Sequence, residues 1–272
     1  FTPFKDFTGR SINEINLYST EMSSALCSID RVSASANMNN RLSEAIVEAY
    51  KSTNGAPISF ELMLKCYQSR MKDANNDDSI SSVLKQLVNA HIFESEDKVS
   101  LIDDSYIIKM DGYPKDGPIA KAIVYFLMSK LNNIYELLDK QAVNDEVVQI
   151  RHFSIIDEAH YMLDFDNRPL RNLIAVGRNK GLSIILATQN MSSFKSKGFD
   201  FYANAQYPLI MKQQTIDDKV IKDLFGVSGQ ELQEIRTAIA GLQKGELIIK
   251  DQMAFALGMG NKYKKINVTH LI

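Results

Sequence analysis

Two apolar runs that end in polar residues are the most regular feature of the chain. The first ends at Ile156 and is followed by Asp157-Glu158, and the second starts at Leu182 and ends at Thr188-Gln189. Short apolar runs bounded in this way are typical of neighbouring buried strands in a parallel sheet. Such strands would bring both polar ends to one edge of the sheet, which is the edge where open α/β folds bind nucleotides.

Apolar residues recur at helical spacing through the first hundred residues. They predict four helices, which run from about Asn13 to Ile29, from Asn37 to Lys51, onward from a cap at Ser59, and from Ser79 to Ile92. We predict that residues 33–100 form an all-helical insertion subdomain and that residues 1–32 belong to the α/β core.

Strand and helix patterns alternate in residues 101–272, which we predict to be the main part of the α/β core. The expected elements are a strand over Ser105–Met110, a helix capped by Asp116 with Pro118 in its first turn, a strand to Ile156, a helix to about Lys180, a strand to Thr188 and a strand over Tyr207–Lys212. This order predicts right-handed crossovers and a parallel sheet flanked by helices.

Two further features concern the last part of the chain. Ser228 and Glu231 have the spacing of a capping box at the start of a helix. Gly245 is then followed by two apolar segments, Glu246–Lys250 and Met253–Leu257, which predict a C-terminal β-hairpin.

Composition excludes several classes of protein. The 272 residues are 45% hydrophobic and 24% charged, which is ordinary for a globular protein. No apolar run approaches the roughly 20 residues of a membrane span, and no signal-peptide pattern opens the chain, so we expect a cytoplasmic protein. Cys27 and Cys66 lack the spacing of a metal site and are predicted to be reduced core cysteines.

The segment Ser154-Ile-Ile-Asp157-Glu158 has the form of a Walker B motif. Phosphoryl transfer needs one carboxylate to hold the water shell of Mg²⁺ and a second group to orient the attacking water. Gln189, at the end of the next predicted strand, could contact the γ-phosphate or that water. The alternatives are that the two acids only begin a helix and that Gln189 is only a satisfied polar residue.

Three basic residues have candidate roles. Arg178 follows a predicted helix, and at the rim of one subunit's sheet it could reach the phosphates bound by the next subunit. A cation that merely favours a helix C-terminus is the alternative for Arg178. Lys195 and Lys197, in the loop after Gln189, could contact nucleic-acid phosphates, although lysines in such loops are commonly just solvated.

The sequence does not contain a Walker A loop. None of its 13 glycines begins a G-x-x-x-x-G-K-[ST] motif, and the nearest segment, Gly258-Met-Gly-Asn-Lys262, fails in spacing and lacks the final Ser or Thr. We therefore expect the phosphate-binding loop to precede Phe1 in a longer polypeptide, and we expect this chain alone to be inactive.

Ile155-Ile-Asp-Glu-Ala-His160, followed by Leu173-Ile-Ala-Val-Gly-Arg-Asn-Lys-Gly-Leu-Ser-Ile-Ile-Leu-Ala-Thr-Gln189, resembles the HerA/FtsK group of P-loop motors. That group includes the coupling and secretion ATPases of conjugation systems. Within it, the chain looks most like the C-terminal part of the DptH (DndH) ATPases of phosphorothioation-dependent DNA restriction.

The resemblance implies a RecA-like fold, ATP and Mg²⁺ as cofactors, and a hexameric ring that moves DNA. Asp157 would be the magnesium acid, Glu158 the acid that orients water, Gln189 the sensor and Arg178 the finger acting across a subunit interface. DNA and other subunits of a restriction complex would be partners, and the helical insertion falls where this group carries one.

Two other interpretations stay open at this point. Asp157-Glu-Ala-His160 is also the box of superfamily 2 helicases, although the 84 residues after Thr188 contain no Q-x-x-G-R-x-G-R motif of a second helicase domain. A non-catalytic adaptor that keeps a RecA-like shape for protein docking would also lack Walker A. The sequence that precedes Phe1 distinguishes the motor from the adaptor.

Overall fold

The computed structural model describes residues 3–29, 34–73, 77–91, 93, 100–144, 147–196, 199–258 and 262–268. The chain divides into two compact units. The first consists of Phe1–Ile155 and Phe165–Ile185, and the second of Ile156–Asp164 and Leu186–Ile272.

Within the described residues, five helices precede the first strand of the first unit. They are α1 Ile12–Ile29, α2 Ala36–Ser52, α3 Phe60–Gln68, α4 Ser79–Asn89 and α5 Pro118–Leu137. The four helices predicted before residue 100 are confirmed, and Ser59 caps α3 by accepting a hydrogen bond from the Leu62 amide. Ile92, the predicted end of α4, lies outside the described residues.

Aromatic rings fill the core that α1 to α5 share. Phe126 of α5 packs edge-to-face on Phe60, with ring centroids 5.2 Å apart, and on Phe4, at 5.7 Å. Tyr50 of α2 packs in the same manner on Phe7, at 5.2 Å. Rings at these distances and angles place the positive edge of one against the negative face of the other, which stabilises the pair beyond its buried area. The predicted limits of the helical insertion, 33–100, stay a prediction.

Two details before the parallel strands differ from the sequence prediction. Ser105–Met110 forms no strand, because no described strand pairs with this segment despite its β-branched residues. Ile107 within it is 89% exposed. Gly117, rather than Asp116, occupies the N-cap of α5. Pro118 stands in the first turn as predicted, where its missing N–H has no intrahelical partner.

The elements that follow α5, up to and including β4, are short strands and helices. They are β1 Val143–Asn144, β2 Val147–Val148, β3 His152–Ile156, α6 His160–Leu163, α7 Arg168–Val176 and β4 Leu182–Leu186. The predicted single helix up to Lys180 is therefore divided into α6, α7 and a 3-10 turn over Gly177–Lys180. Asn167 starts α7 by accepting a hydrogen bond from the Leu170 amide.

Strands β3 and β4 are paired in one sheet. The Arg151 amide donates to the Gly181 carbonyl, and the Ala187 amide donates to the Ile156 carbonyl. The partners advance together along both strands, so the pair is parallel, and the predicted α/β class with helices flanking a parallel sheet is confirmed. The prediction that both strands are buried is wrong, because Phe153 and Ile155 of β3 are 57% and 68% exposed.

The second unit contains α6 and the elements that follow β4. These are β5 Lys195–Ser196, β6 Phe199–Asp200, α8 Phe201–Asn204, β7 Leu209–Ile210, α9 Asp218–Phe225, α10 Gly229–Ala240, β8 Glu246–Lys250, α11 Gln252–Leu257 and β9 Tyr263–Asn267. Strand β8 pairs antiparallel with both β7 and β9. One hydrophobic core joins this sheet to α9 and α10, and it includes Ile210, Phe225, Ile239 and Ile248.

Two predictions about this unit need correction. Met253–Leu257 lies entirely within α11, and the strand that returns beside β8 to form the hairpin is β9 instead. Ser228 occupies the N-cap of α10, but its side chain makes no cap hydrogen bond, and Gly229 follows with φ +57°. A complete capping box is formed by Asp78 and Ser81 at the start of α4.

Cys27 and Cys66 are free cysteines. Cys66 is buried, and burial raises the pKa of the Cys27 thiol to about 11.

Among the described residues, no helix combines the length and the apolar character that crossing a membrane requires.

Candidate functional site

The two acids of the Walker B-like segment lie in the turn that follows β3. Glu158 has a φ of +51°, in the left-handed region that side chains with a Cβ rarely adopt. Such a conformation costs roughly 1–3 kcal/mol and persists only where surrounding contacts hold it. The contacts around Glu158 therefore hold a strained backbone in place.

Gln189 is the first of these contacts. Its Nε2 atom donates to Oε1 of Glu158 at 2.5 Å, across 31 positions of sequence. A hydrogen bond to an ionised acceptor is shorter and stronger than one between neutral groups. The structure thus brings together two residues that the sequence analysis assigned to one site.

Backbone pairing explains why Gln189 reaches Glu158. The Ala187 amide donates to the Ile156 carbonyl at 2.9 Å, and the Ala159 amide donates to the Ala187 carbonyl at 2.8 Å. These two bonds continue the parallel ladder past the ends of both strands. The turn that carries Glu158 is therefore held beside the segment that carries Thr188 and Gln189.

His160 is the second contact of Glu158. Its Nδ1 atom lies 3.3 Å from Oε2 of Glu158 and 3.4 Å from Oγ1 of Thr188. No role was predicted for His160 from the sequence, although the residue belongs to the Asp-Glu-Ala-His segment. The signal that could have found it is its position two residues after Glu158, in a turn that closes into α6.

Asp157 is exposed, and its Oδ1 atom accepts a hydrogen bond from the Glu158 amide at 2.9 Å. An exposed carboxylate at a strand end fits the part of a protein ligand for Mg²⁺, which prefers oxygen and commonly takes one or two carboxylates beside phosphate oxygens and waters. No group of three or more His, Cys, Asp or Glu side chains suited to a metal occurs among the described residues.

The residues present fit one wall of a nucleotide site and not the other. Asp157 and Glu158 supply acids, but the sequence has no Walker A loop to bind phosphates. Lys262, the lysine of the nearest glycine-rich segment, donates to the Gly226 carbonyl at 3.4 Å and lies 3.3 Å from Glu231. Its ammonium group therefore takes part in contacts within the second unit.

Arg178 belongs to the first unit. It is exposed in the 3-10 turn over Gly177–Lys180, and this turn is anchored at three points. Lys180 Nζ donates to the carbonyls of Tyr135 and Glu136 at the end of α5, and the Gln141 amide donates to the Asn179 carbonyl. Gly181 closes the turn with φ +82°. The anchored turn presents the Arg178 guanidinium to solvent.

The two candidate nucleic-acid contacts are only partly described. The backbone of Lys195 lies in β5, which pairs antiparallel with β6 in a register that matches Lys195 with Asp200. The side chain of Lys195 and the whole of Lys197 lie outside the described residues. Their proposed contacts with nucleic acid stay a prediction.

The parallel β3–β4 pair, the flanking helices and the acids at the strand end define a RecA-like α/β protein. Among solved structures, the chain is similar to VirB4 of Thermoanaerobacter pseudethanolicus, with a TM-score of 0.64 and 18% sequence identity. The match covers 95% of this chain and 69% of the VirB4 chain. No protein-family model matches the sequence, and no curated protein matches it. The likeness to VirB4 establishes the fold.

Proposed function

We propose that this chain is the part of a P-loop motor ATPase that follows the Walker A loop, with Glu158 as the residue that orients the attacking water. The observation that carries the proposal is the hydrogen bond between Gln189 and Glu158 at the ends of two parallel strands. The fold likeness to VirB4, a P-loop type IV secretion ATPase of the FtsK/HerA-like group, supports the same class.

Each residue of the site has a separate task in this proposal. Glu158 accepts a hydrogen bond from the water and aligns it for in-line attack, which requires an ionised carboxylate. Gln189 fixes Oε1 of Glu158 and so limits the directions in which the carboxylate can turn. Asp157 would hold Mg²⁺ through a water molecule, and the ion would neutralise phosphate charge.

Arg178 completes the proposed site from a neighbouring subunit. Its five fixed N–H donors match the oxygens of a phosphoryl group, and its charge cannot be lost at neutral pH. The exposed 3-10 turn, anchored through Lys180, is suited to presenting a side chain outward. We propose that subunits assemble in a ring, by resemblance a hexamer, so that each Arg178 serves the next ATP site.

We further propose that this motor is a DNA translocase of the HerA/FtsK group. The resemblance favours a role in phosphorothioation-dependent DNA restriction, as in the DptH (DndH) family, with other restriction subunits as partners. Lys195 and Lys197 are the proposed DNA contacts. Support for this finer assignment comes from the sequence resemblance alone.

The proposal implies a longer polypeptide with a Walker A loop before this chain, and steady-state ATP hydrolysis by that polypeptide tests it. We expect turnover that double-stranded DNA stimulates and that Glu158→Gln and Arg178→Ala each abolish. Glu234→Gln is the matched control, because Glu234 is an exposed acid on α10 whose carboxylate contacts Gln230. A polypeptide with no G-K-[ST] loop before Phe1, or with no ATP turnover, would favour the non-catalytic adaptor.

Mixing the two inactive variants tests the role of Arg178 across subunits. A ring that contains both variants has interfaces where an intact Glu158 meets an intact Arg178 of the neighbour. We expect the mixture to recover part of the activity. Recovery of none, while each variant still forms rings, would place Arg178 in the same subunit's site or outside the mechanism.

A further inference from the structure

One oxygen of the Glu158 carboxylate is buried and has no hydrogen-bond partner among the described residues. The Oε1 atom accepts from Gln189, whereas Oε2 is shielded from solvent and makes no hydrogen bond within the part of the chain that the structure describes. A buried, unsatisfied charged oxygen is costly, so its nearest donor is significant. The Nδ1 atom of His160 lies 3.3 Å from it.

The His160 ring is held in place by its neighbours. It packs on the Tyr161 ring, with centroids 4.0 Å apart and planes inclined by 37°. The Nδ1 atom that faces Glu158 also lies 3.4 Å from the Thr188 hydroxyl. One ring nitrogen therefore has two possible partners, a carboxylate and a hydroxyl, and both belong to segments of the candidate site.

The protonation of Nδ1 decides which partner the ring can serve. A neutral imidazole carries one N–H, and with the proton on Nδ1 a small turn of the ring would let it donate to Oε2 of Glu158, which lies 3.3 Å away. With the proton on Nε2, Nδ1 can only accept, from Thr188, and Oε2 of Glu158 stays unpaired. Because leaving that oxygen unpaired is costly, the arrangement favours the proton on Nδ1.

We propose that His160 is a positioning residue for Glu158. Its Nδ1–H holds Oε2 while Gln189 holds Oε1, so that both carboxylate oxygens are fixed from opposite segments of the site. The Thr188 hydroxyl is the alternative partner that takes over Nδ1 when Glu158 turns toward water. The inference rests on the proposed function for its catalytic consequence, but the contact itself can be tested without ATP.

Nitrogen NMR of this chain, labelled in its histidine rings, tests the contact. The chain has four histidines, and the signals of His160 are assigned by their loss in His160→Asn. We expect a protonated Nδ1 on His160 and a clear change of its ¹⁵N shift in Glu158→Gln, with the His152 signals unchanged. A proton on Nε2 of His160 in both the wild type and Glu158→Gln would overturn the proposal.

Kinetics of the longer polypeptide test the consequence. The amide nitrogen of Asn can take the position of Nδ1, whereas that of Gln takes the position of Nε2. We expect His160→Gln to lower kcat by about tenfold or more with an unchanged KM for ATP, because the carboxylate is misplaced. His160→Asn should keep most of the activity.

Equal rates in the wild type and both variants would overturn the positioning role. If the wild-type polypeptide turns over no ATP, the proposed function fails and the catalytic consequence of His160 fails with it. The NMR result then still decides whether His160 holds Glu158. The two failures are therefore distinguishable.

Discussion

The Nε2 atom of Gln189 lies 2.5 Å from Oε1 of Glu158, although 31 positions separate the two residues. The bond joins the segments that follow two paired parallel strands, β3 and β4. One residue of the pair has a left-handed backbone, at φ +51°, and the other is exposed. A contact that restrains a strained acid at a strand end is the arrangement on which the proposed ATPase depends.

Gln189→Ala removes the donor to Oε1 and leaves that oxygen free to turn. In the longer polypeptide we expect kcat for ATP hydrolysis to fall by about tenfold to hundredfold, because a small misplacement of a catalytic group has an effect of that size. Gln233→Ala, at an exposed position of α10, is the control and should hydrolyse ATP like the wild type. Equal activity of the two variants would show that the bond has no part in the reaction.

Gly181→Ala is expected to destabilise the first unit. Gly181 has φ +82°, and an added Cβ would lie 2.7 Å from the Gln149 carbonyl oxygen. We expect a loss of about 1–3 kcal/mol in the free energy of unfolding, measured by urea denaturation. Gly112→Ala, where a Cβ meets nothing within 4 Å, should change it by less than about 0.5 kcal/mol. Similar losses in both variants would contradict the strained turn.

Glu246 predicts a pH-dependent contribution to the stability of the second unit. Lys265 Nζ lies 2.7 Å from its Oε2 and, with the Gln243 amide, holds the pKa of the Glu246 carboxyl below its ordinary value. A lowered pKa means that the stabilisation is complete above the ordinary carboxyl pKa and disappears as pH falls through the folded-state pKa. The wild type should therefore exceed Glu246→Gln in stability at pH 7.

Chemical denaturation at several pH values measures this difference, which should shrink in acid. In a Lys265→Met background the difference at pH 7 should become smaller. In a Lys264→Met background it should persist, because Lys264 pairs with Asp251 instead. A difference that does not vary with pH, or that is undiminished by the loss of Lys265, would exclude the Glu246–Lys265 pair as its source.

This chain by itself is expected to bind ATP weakly or not at all. In the proposed site Asp157 and Glu158 engage Mg²⁺ and water, but the phosphates of a nucleotide need the phosphate-binding loop that the sequence lacks. Isothermal titration calorimetry with ATP and Mg²⁺ should show no binding in the micromolar range. A micromolar Kd for this chain would mean that the phosphates have another binding site within it.

Features that depend on local sequence patterns, or on the pairing of parallel strands, could be predicted from the sequence. The cap at Ser59 and the meeting of Glu158 with Gln189 follow from residue type and from two strands that share an edge. Ser105–Met110 has β-forming residues but lies in no strand, because strand formation also needs a partner segment. The contact between His160 and Glu158 spans a turn in which Glu158 is left-handed, a conformation that a glutamate gives no reason to predict.

A single-turnover ATP hydrolysis assay on the longer polypeptide is the most direct test of the proposed role of Glu158. Glu158→Gln keeps the size of the side chain and its contact with Gln189 but removes the charge that, in the proposed mechanism, orients the attacking water. We expect this variant to bind ATP as tightly as the wild type and to hydrolyse it at least about a hundredfold more slowly. Hydrolysis by Glu158→Gln at the wild-type rate would show that Glu158 does not orient the attacking water.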